Sequence, residues 1–97
     1  MNTYKKLSPE EIRIEMNKLD GWNIKEGKLN KKFEFSDFIH AFGFISKIAL
    51  ESEKINHHPE IYNVYNKVEL SLSTHDIDGI SEHDFTLAKS IDKIMKD

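Results

Sequence analysis

The stretch Asn56-His57-His58-Pro59-Glu60-Ile61-Tyr62-Asn63-Val64-Tyr65-Asn66-Lys67-Val68-Glu69-Leu70-Ser71-Leu72-Ser73-Thr74-His75 carries the clearest strand pattern in the chain and three of its five histidines. Val68, Leu70 and Leu72 point one way while Glu69, Ser71 and Ser73 point the other, which predicts a half-buried strand over 68–74. Ile61 to Tyr65 reads as the strand before it, with Asn66-Lys67 as the turn. The pair makes an antiparallel hairpin with one wet face. Pro59 disfavours helical backbone at His58, so any preceding helix must end between Ile55 and His58.

That helix is signalled upstream. Ser36-Asp37 offers an N-cap oxygen and a first-turn carboxylate. Phe38, Phe42, Ile45 and Ala49 then form an apolar stripe, widened by Ala41 and Ile48. Before it, Trp22 and Ile24 alternate with Asn23 and Lys25, and Glu26-Gly27-Lys28 is a turn signal. The run from Leu29 to Phe35 alternates at its end, with Phe33 and Phe35 opposite Lys32 and Glu34. The first helix opens at Leu7-Ser8-Pro9-Glu10-Glu11-Ile12, where Ser8 caps, Pro9 takes the first helical position and Glu11 completes a capping box. Ile12, Met16 and Leu19 recur at helical spacing, and Asp20-Gly21 stops the helix. Downstream, Asp78-Gly79 breaks the chain, and Ile80-Ser81-Glu82-His83-Asp84-Phe85 repeats the helix-start logic, with Ser81 as cap and Asp84 answering it. The predicted order is helix, two strands, helix, two strands, helix, stacked as two layers.

Composition bounds the function. The 97 residues form one domain over 1–97, with 38% apolar residues, 32% charged residues and a formal net charge of -3. An isoelectric point near 5.9 argues against direct nucleic-acid binding, which needs clustered Lys and Arg. Cysteine is absent, excluding disulfides and thiolate metal sites. Met1-Asn2-Thr3-Tyr4-Lys5-Lys6 has no apolar leader, and no apolar run approaches the ~20 residues that span a bilayer. A cytoplasmic location, with no membrane contact, is the expectation.

Histidine is the side chain whose unperturbed pKa, about 6.5, lets it give or take a proton near neutrality. His57 and His58 are adjacent at a helix-to-strand corner stiffened by Pro59. Adjacent side chains in extended backbone point to opposite sides. One of the two therefore touches a ligand while the other anchors the corner or reaches in from the rim. His75 stands at a strand end, where functional groups sit on a rigid scaffold. Taken alone, the His57-His58 pair reads more readily as incidental histidines on an exposed loop, and His75 equally well as a polar strand end. A metal site is disfavoured by the lack of His-x-His or His-x-x-x-His spacing. His40 reads as surface and His83, in a helix first turn, as non-catalytic.

Glu53-x-x-x-His57-His58-Pro59-Glu60, then Tyr62 to Val68, Leu72-x-Thr74-His75 and Gly79-Ile80-Ser81-x-x-Asp84 together resemble the pterin-4a-carbinolamine dehydratase family, as does Gly21-Trp22 before the first strand. Asn56, Ile61 and His83 depart from it, standing where the family often has aspartate, tryptophan and arginine. The resemblance implies an α+β fold, a four-stranded antiparallel sheet with three helices on one face. It implies dehydration of 4a-hydroxytetrahydropterin, of the tetrahydrobiopterin type, to quinonoid dihydropterin and water. No metal or organic cofactor is implied. His57, His58 and His75 become the catalytic histidines, with His57 and His75 nearest the reacting atoms and Asp84 supporting them. Substrate contacts fall to the same histidines, to Pro59, to Thr74, Asp76 and Ile77 through the loop backbone, and to Trp22 and Glu53. Implied partners are further copies in a homodimer or homotetramer, and a functional link to an aromatic amino-acid hydroxylase. The alternative is a dimerisation cofactor or coactivator, or another pterin-binding protein.

Overall fold

The computed structural model describes residues 4–96; residues 1–3, part of the start expected to lack an apolar leader, and Asp97 lie outside that range. The elements run α1 (Pro9–Met16), β1 (Asn23–Lys25), β2 (Lys28–Glu34), α2 (Phe38–Ile55), β3 (Glu60–Val64), β4 (Lys67–Leu72) and α3 (Glu82–Lys96). A short 3₁₀ turn, His75–Ile77, follows β4. The strands form one antiparallel sheet in the order β1-β2-β4-β3, so the central pair comes from two different hairpins.

Register explains the layering. Leu29 pairs with Leu72, Lys31 with Leu70 and Phe33 with Val68, placing these side chains on the face that the three helices cover. The five apolar ones are buried there with Phe44, Ile48, Phe85, Leu87 and Ile91. Each such Leu, Ile or Phe contributes about 1.5–3 kcal/mol on burial. Lys31 escapes by reaching the carbonyl of Asp20 at 2.8 Å and Asp92 Oδ1 at 2.9 Å. The opposite face is mixed, with Asn30, Glu69 and Ser71 beside the exposed Tyr62 and Val64. There Glu69 Oε2 accepts from Asn30 Nδ2 at 2.9 Å and from Lys25 Nζ at 3.2 Å, and these partners hold the Glu69 carboxyl below its ordinary range.

Both hairpin turns shift slightly from expectation. The β1–β2 turn is the pair Glu26-Gly27, with φ of 53° and 78°, as a two-residue type I′ turn requires. The β3–β4 turn is Tyr65-Asn66 rather than Asn66-Lys67, because Val64 pairs directly with Lys67. Each cap places its helix. Ser8 and Glu11 form the reciprocal capping box of α1. The N-cap of α2 is Asp37 rather than Ser36: its carboxylate accepts the His40 N–H at 2.8 Å.

The apolar stripe of α2 is the main correction. Ala41, Phe44, Ile48 and Ser52 face the core. Ala41 and Ile48 belong to the expected set, but Phe38, Phe42 and Ala49 are exposed and Ile45 is half-buried. Apolar residues run nearly all round this helix, so several adjacent stripes satisfy the helical period and only tertiary contact selects one. The stripe left outside, with Ile39 and Leu50, is exposed, without cover among the described residues.

Candidate active site

The corner after α2 is shaped by Asn56. It takes the left-handed conformation at φ 50°, ψ 45°, which asparagine tolerates well. The His57 N–H then closes onto the Ser52 carbonyl at 3.0 Å. This closing turn sends His57 inward, 7% exposed, and leaves His58 outside. The alternation expected of the two histidines is what the corner produces.

His57 Nε2 meets Asp84 Oδ1 at 2.6 Å. Asp84 is fully buried, 0% exposed, in the first turn of α3. Its other oxygen accepts the Thr74 hydroxyl at 2.9 Å and the Ser81 N–H at 3.0 Å. Thr74 has one hydroxyl proton, and Asp84 takes it. The 2.6 Å contact between Thr74 and Ser81 must therefore be donated by Ser81. Ser81 Oγ in turn accepts the His83 N–H at 3.2 Å. Every hydroxyl in this buried chain donates once and accepts once. Asp84 collects three donors, an arrangement suited to a carboxylate, and such an acceptor places the His57 proton on Nε2.

Thr74 connects this buried chain to the surface. Its backbone pairs with Gly79, N–H to carbonyl at 2.7 Å one way and 3.4 Å the other, pinching 74–79 into a tight loop. A cavity of about 480 Å³ opens beside the loop, lined by His58, Thr74, His75 and Gly79 and rimmed by Lys28 and Glu60. Lys28 Nζ bridges both Glu60 oxygens at 2.9 Å. The volume lies in the range of small-molecule sites. His75 is exposed on the wall, and His58 Nε2 is bonded to the exposed Glu53.

The structure thus gathers His57, Asp84 and Thr74 in one buried chain and His58 and His75 on the cavity wall. Pro59, Asp76 and Ile77 flank the cavity in sequence without lining it. Trp22 stands apart: it is buried against Phe33, and its Nε1–H donates to Asp92 on α3 at 3.0 Å, so a packing duty replaces the expected substrate contact. Sequence reading missed Lys28, Ser73 and Gly79 as wall residues. Lys28 begins β2 in the other hairpin, and no local pattern could announce that the strand order brings it here. Ser81 was visible only as a cap. Among the described residues no group of three His, Asp or Glu side chains is arranged to hold a metal ion. No helix among them is long and apolar enough to cross a membrane.

Comparison with known proteins identifies the family. The family model for pterin 4 alpha carbinolamine dehydratase matches residues 5–94. A relative from Solibacter usitatus, named pterin-4-alpha-carbinolamine dehydratase, is 46% identical over 89 residues, covering 92% of this chain and 94% of its own. One of the same name from Prochlorococcus marinus is 51% identical over 90 residues, covering 93% and 94%. A crystal structure of a transcriptional coactivator/pterin dehydratase from Brucella melitensis superposes with a TM-score of 0.88 at 38% identity, over 93% of this chain and 98% of that one. Fold and site define a two-layer α+β protein with a histidine-walled cavity. The chain belongs to the pterin 4 alpha carbinolamine dehydratase family.

Proposed function

We propose that residues 1–97 act as one cytoplasmic dehydratase domain, converting 4a-hydroxytetrahydropterin, of the tetrahydrobiopterin type, to quinonoid dihydropterin in pterin recycling. The observation that carries this reading is the cavity walled by His58 and His75, with the His57–Asp84 pair directly behind Thr74. The elimination breaks the C–O bond at the tetrahedral carbon and the neighbouring ring N–H, forms a C=N bond and releases water. It needs one acid for the departing hydroxyl and one base for the N–H proton, with no oxidant or reductant. Positioned groups of this kind contribute roughly 10²–10⁴-fold.

His75 takes part from the cavity wall. His57, its tautomer fixed by Asp84, takes part through its residual exposed edge, and His58 contacts substrate with Glu53 as its carboxylate partner. The backbone of the Thr74 to Ile77 loop meets the flat pterin edge. No metal or organic cofactor is invoked, and dialysis against EDTA should leave turnover unchanged.

Stopped-flow ultraviolet absorbance of chemically generated 4a-hydroxytetrahydropterin tests the reading directly. The protein should accelerate its decay well above the spontaneous rate. An unchanged rate would remove the enzymatic assignment.

Assembly into a homodimer or homotetramer is supported by the uncovered stripe of α2, where Ile39 is 79% and Leu50 67% exposed, and by the open edge of β3. Light scattering should report a mass above the 11.4 kDa of one chain. The name of the Brucella structure favours a second reading, a coactivator that uses such a surface on another protein. Retention of dehydratase turnover in the purified chain separates the two, as does loss of assembly in Phe42→Glu. The same reading carries a functional link, implied by the family resemblance, to an aromatic amino-acid hydroxylase as the source of the carbinolamine.

A further inference from the structure

The segment before α1 is not idle chain. It runs antiparallel to 79–83, with the Leu7 N–H donating to the Ile80 carbonyl at 2.9 Å and Leu7 itself buried. The stem of Lys6 lies over Gly79, so closely that a Cβ there would come within 2.8 Å of Lys6 Cε. Three residues before Leu7 and three after Ile80, Tyr4 meets His83 edge-on, ring centroids 4.6 Å apart at 69°. The same tyrosine lies 6.4 Å from the His57 ring, and His83 lies 5.8 Å from it. All three separations fall within the range of interacting aromatic rings, about 4.5–7 Å. His83 is held by this packing: its Nδ1 is enclosed and has no hydrogen-bond partner among the described residues.

We propose that Tyr4 is a positioning residue of the site, which with His83 packs against the His57 ring and keeps it seated on Asp84. Two points support a role beyond covering the core. Asp84 grips the ring at one atom only, Nε2, so a single 2.6 Å bond leaves rotation about it open. Two rings packed against His57 close off that freedom. Tyr4 also lines no part of the cavity, so its effect must pass through His57 rather than through substrate. Misplacement of a reacting group by about 1 Å costs on the order of 10²-fold in rate.

The inference rests on the dehydratase reading, and one of its measurements does not depend on turnover. The first experiment follows kcat and KM for Tyr4→Ala and Tyr4→Phe with chemically generated 4a-hydroxytetrahydropterin. The second records the His57 ring proton on Nε2 by nuclear magnetic resonance in the same proteins, with the helical circular dichroism as a check on folding. Tyr4→Ala should lower kcat by roughly 10- to 100-fold with KM nearly unchanged, and its His57 Nε2–H signal should broaden and exchange faster with water. Tyr4→Phe, which keeps the ring and drops the hydroxyl, should restore both. Wild-type kcat and an unaltered His57 signal in Tyr4→Ala would overturn the proposal. A Tyr4→Ala protein that loses its helical signal would overturn it too, because Tyr4 would then be a fold anchor. If the wild-type protein shows no dehydratase activity while Tyr4→Ala still loosens the His57 signal, the functional reading fails and the positioning role stands.

Discussion

Two helices of this protein begin with the same local device and put it to different use. Ser8 and Glu11 at α1 exchange hydrogen bonds, the Ser8 N–H to Glu11 Oε1 at 2.9 Å and the Glu11 N–H to Ser8 Oγ at 3.2 Å. Ser81 and Asp84 at α3 repeat the acid-to-cap bond at 3.0 Å. The first pair lies at the surface and ends there. The second is buried, and its shorter acid spends its remaining capacity on Thr74 and His57. Burial makes the difference. An exposed capping acid fills its spare lone pairs with water, while a buried one must find donors, and the donors here belong to the site.

Removing Asp84 should therefore do far more than removing a cap. In Asp84→Ala, His57, Thr74 and Ser81 all lose their acceptor inside the protein. Breaking a buried charged contact of this kind costs about 3–5 kcal/mol, which chemical denaturation should register. Asp84→Asn keeps the shape but offers one carbonyl oxygen and a donor NH₂ to three donors. It should fold, and still lose roughly 10²–10⁴-fold in kcat because the His57 proton is no longer directed to Nε2. An Asp84→Asn protein with normal turnover would reduce the α3 device to a cap like that of α1.

The histidines sharpen the same contrast. His57→Ala should lower both turnover and stability, because it strands Asp84 in the interior. His75→Ala should lower kcat by a similar factor, roughly 10²–10⁴-fold, with an unchanged unfolding midpoint, since its ring is exposed and makes no hydrogen bond among the described residues. Equal stability losses in the two variants would show that burial does not separate their roles. Thr74→Val, next in size, removes the link between cavity and carboxylate. It leaves the Ser81 hydroxyl without an acceptor, for about 1–3 kcal/mol of stability and a smaller loss of rate.

Much of this was legible in the chain, for definable reasons. Caps and strand alternation are local, so the element order and both capping acids could be read directly. That His57 and His58 point to opposite sides followed from the two-residue alternation of extended backbone. What could not be read depends on tertiary choice. On α2 the sequence offers several equivalent apolar stripes, and Phe44 was selected over Phe42 by contact with Phe33 and Phe35, at ring distances of 4.9 Å in each case. Trp22 read first as a core residue and only secondarily as a wall for a flat ligand, and nothing local showed that Asp92, 70 residues away, supplies its acceptor. Tyr4 gave no local signal and His83 read only as a non-catalytic helix-start residue, because their contact is an edge-on packing made by two distant segments.

The smallest expected effects lie at α1, where the comparison can be broken from the other side. Ser8→Ala should cost about 1 kcal/mol, the ordinary price of a lost N-cap, and leave kcat and KM unchanged. Glu11→Gln tests the charge alone. The Glu11 carboxyl is held below its ordinary value of 4.5, first by the Ser8 N–H it accepts, then by the Ser8 hydroxyl, with Lys5 a lesser contributor. A carboxyl depressed on folding stabilises the native state above its unfolded pKa and loses that contribution as pH falls through the folded one. Wild type should therefore be slightly more stable than Glu11→Gln at neutral pH, with the gap closing as pH drops below the unfolded value. Exposure keeps the gap small and added salt should shrink it further. Melting temperatures across that acid range, at low and high salt, measure it. If Glu11→Gln instead altered turnover at neutral pH, the α1 device would also be wired to the site, and burial would no longer be what distinguishes the two helix starts.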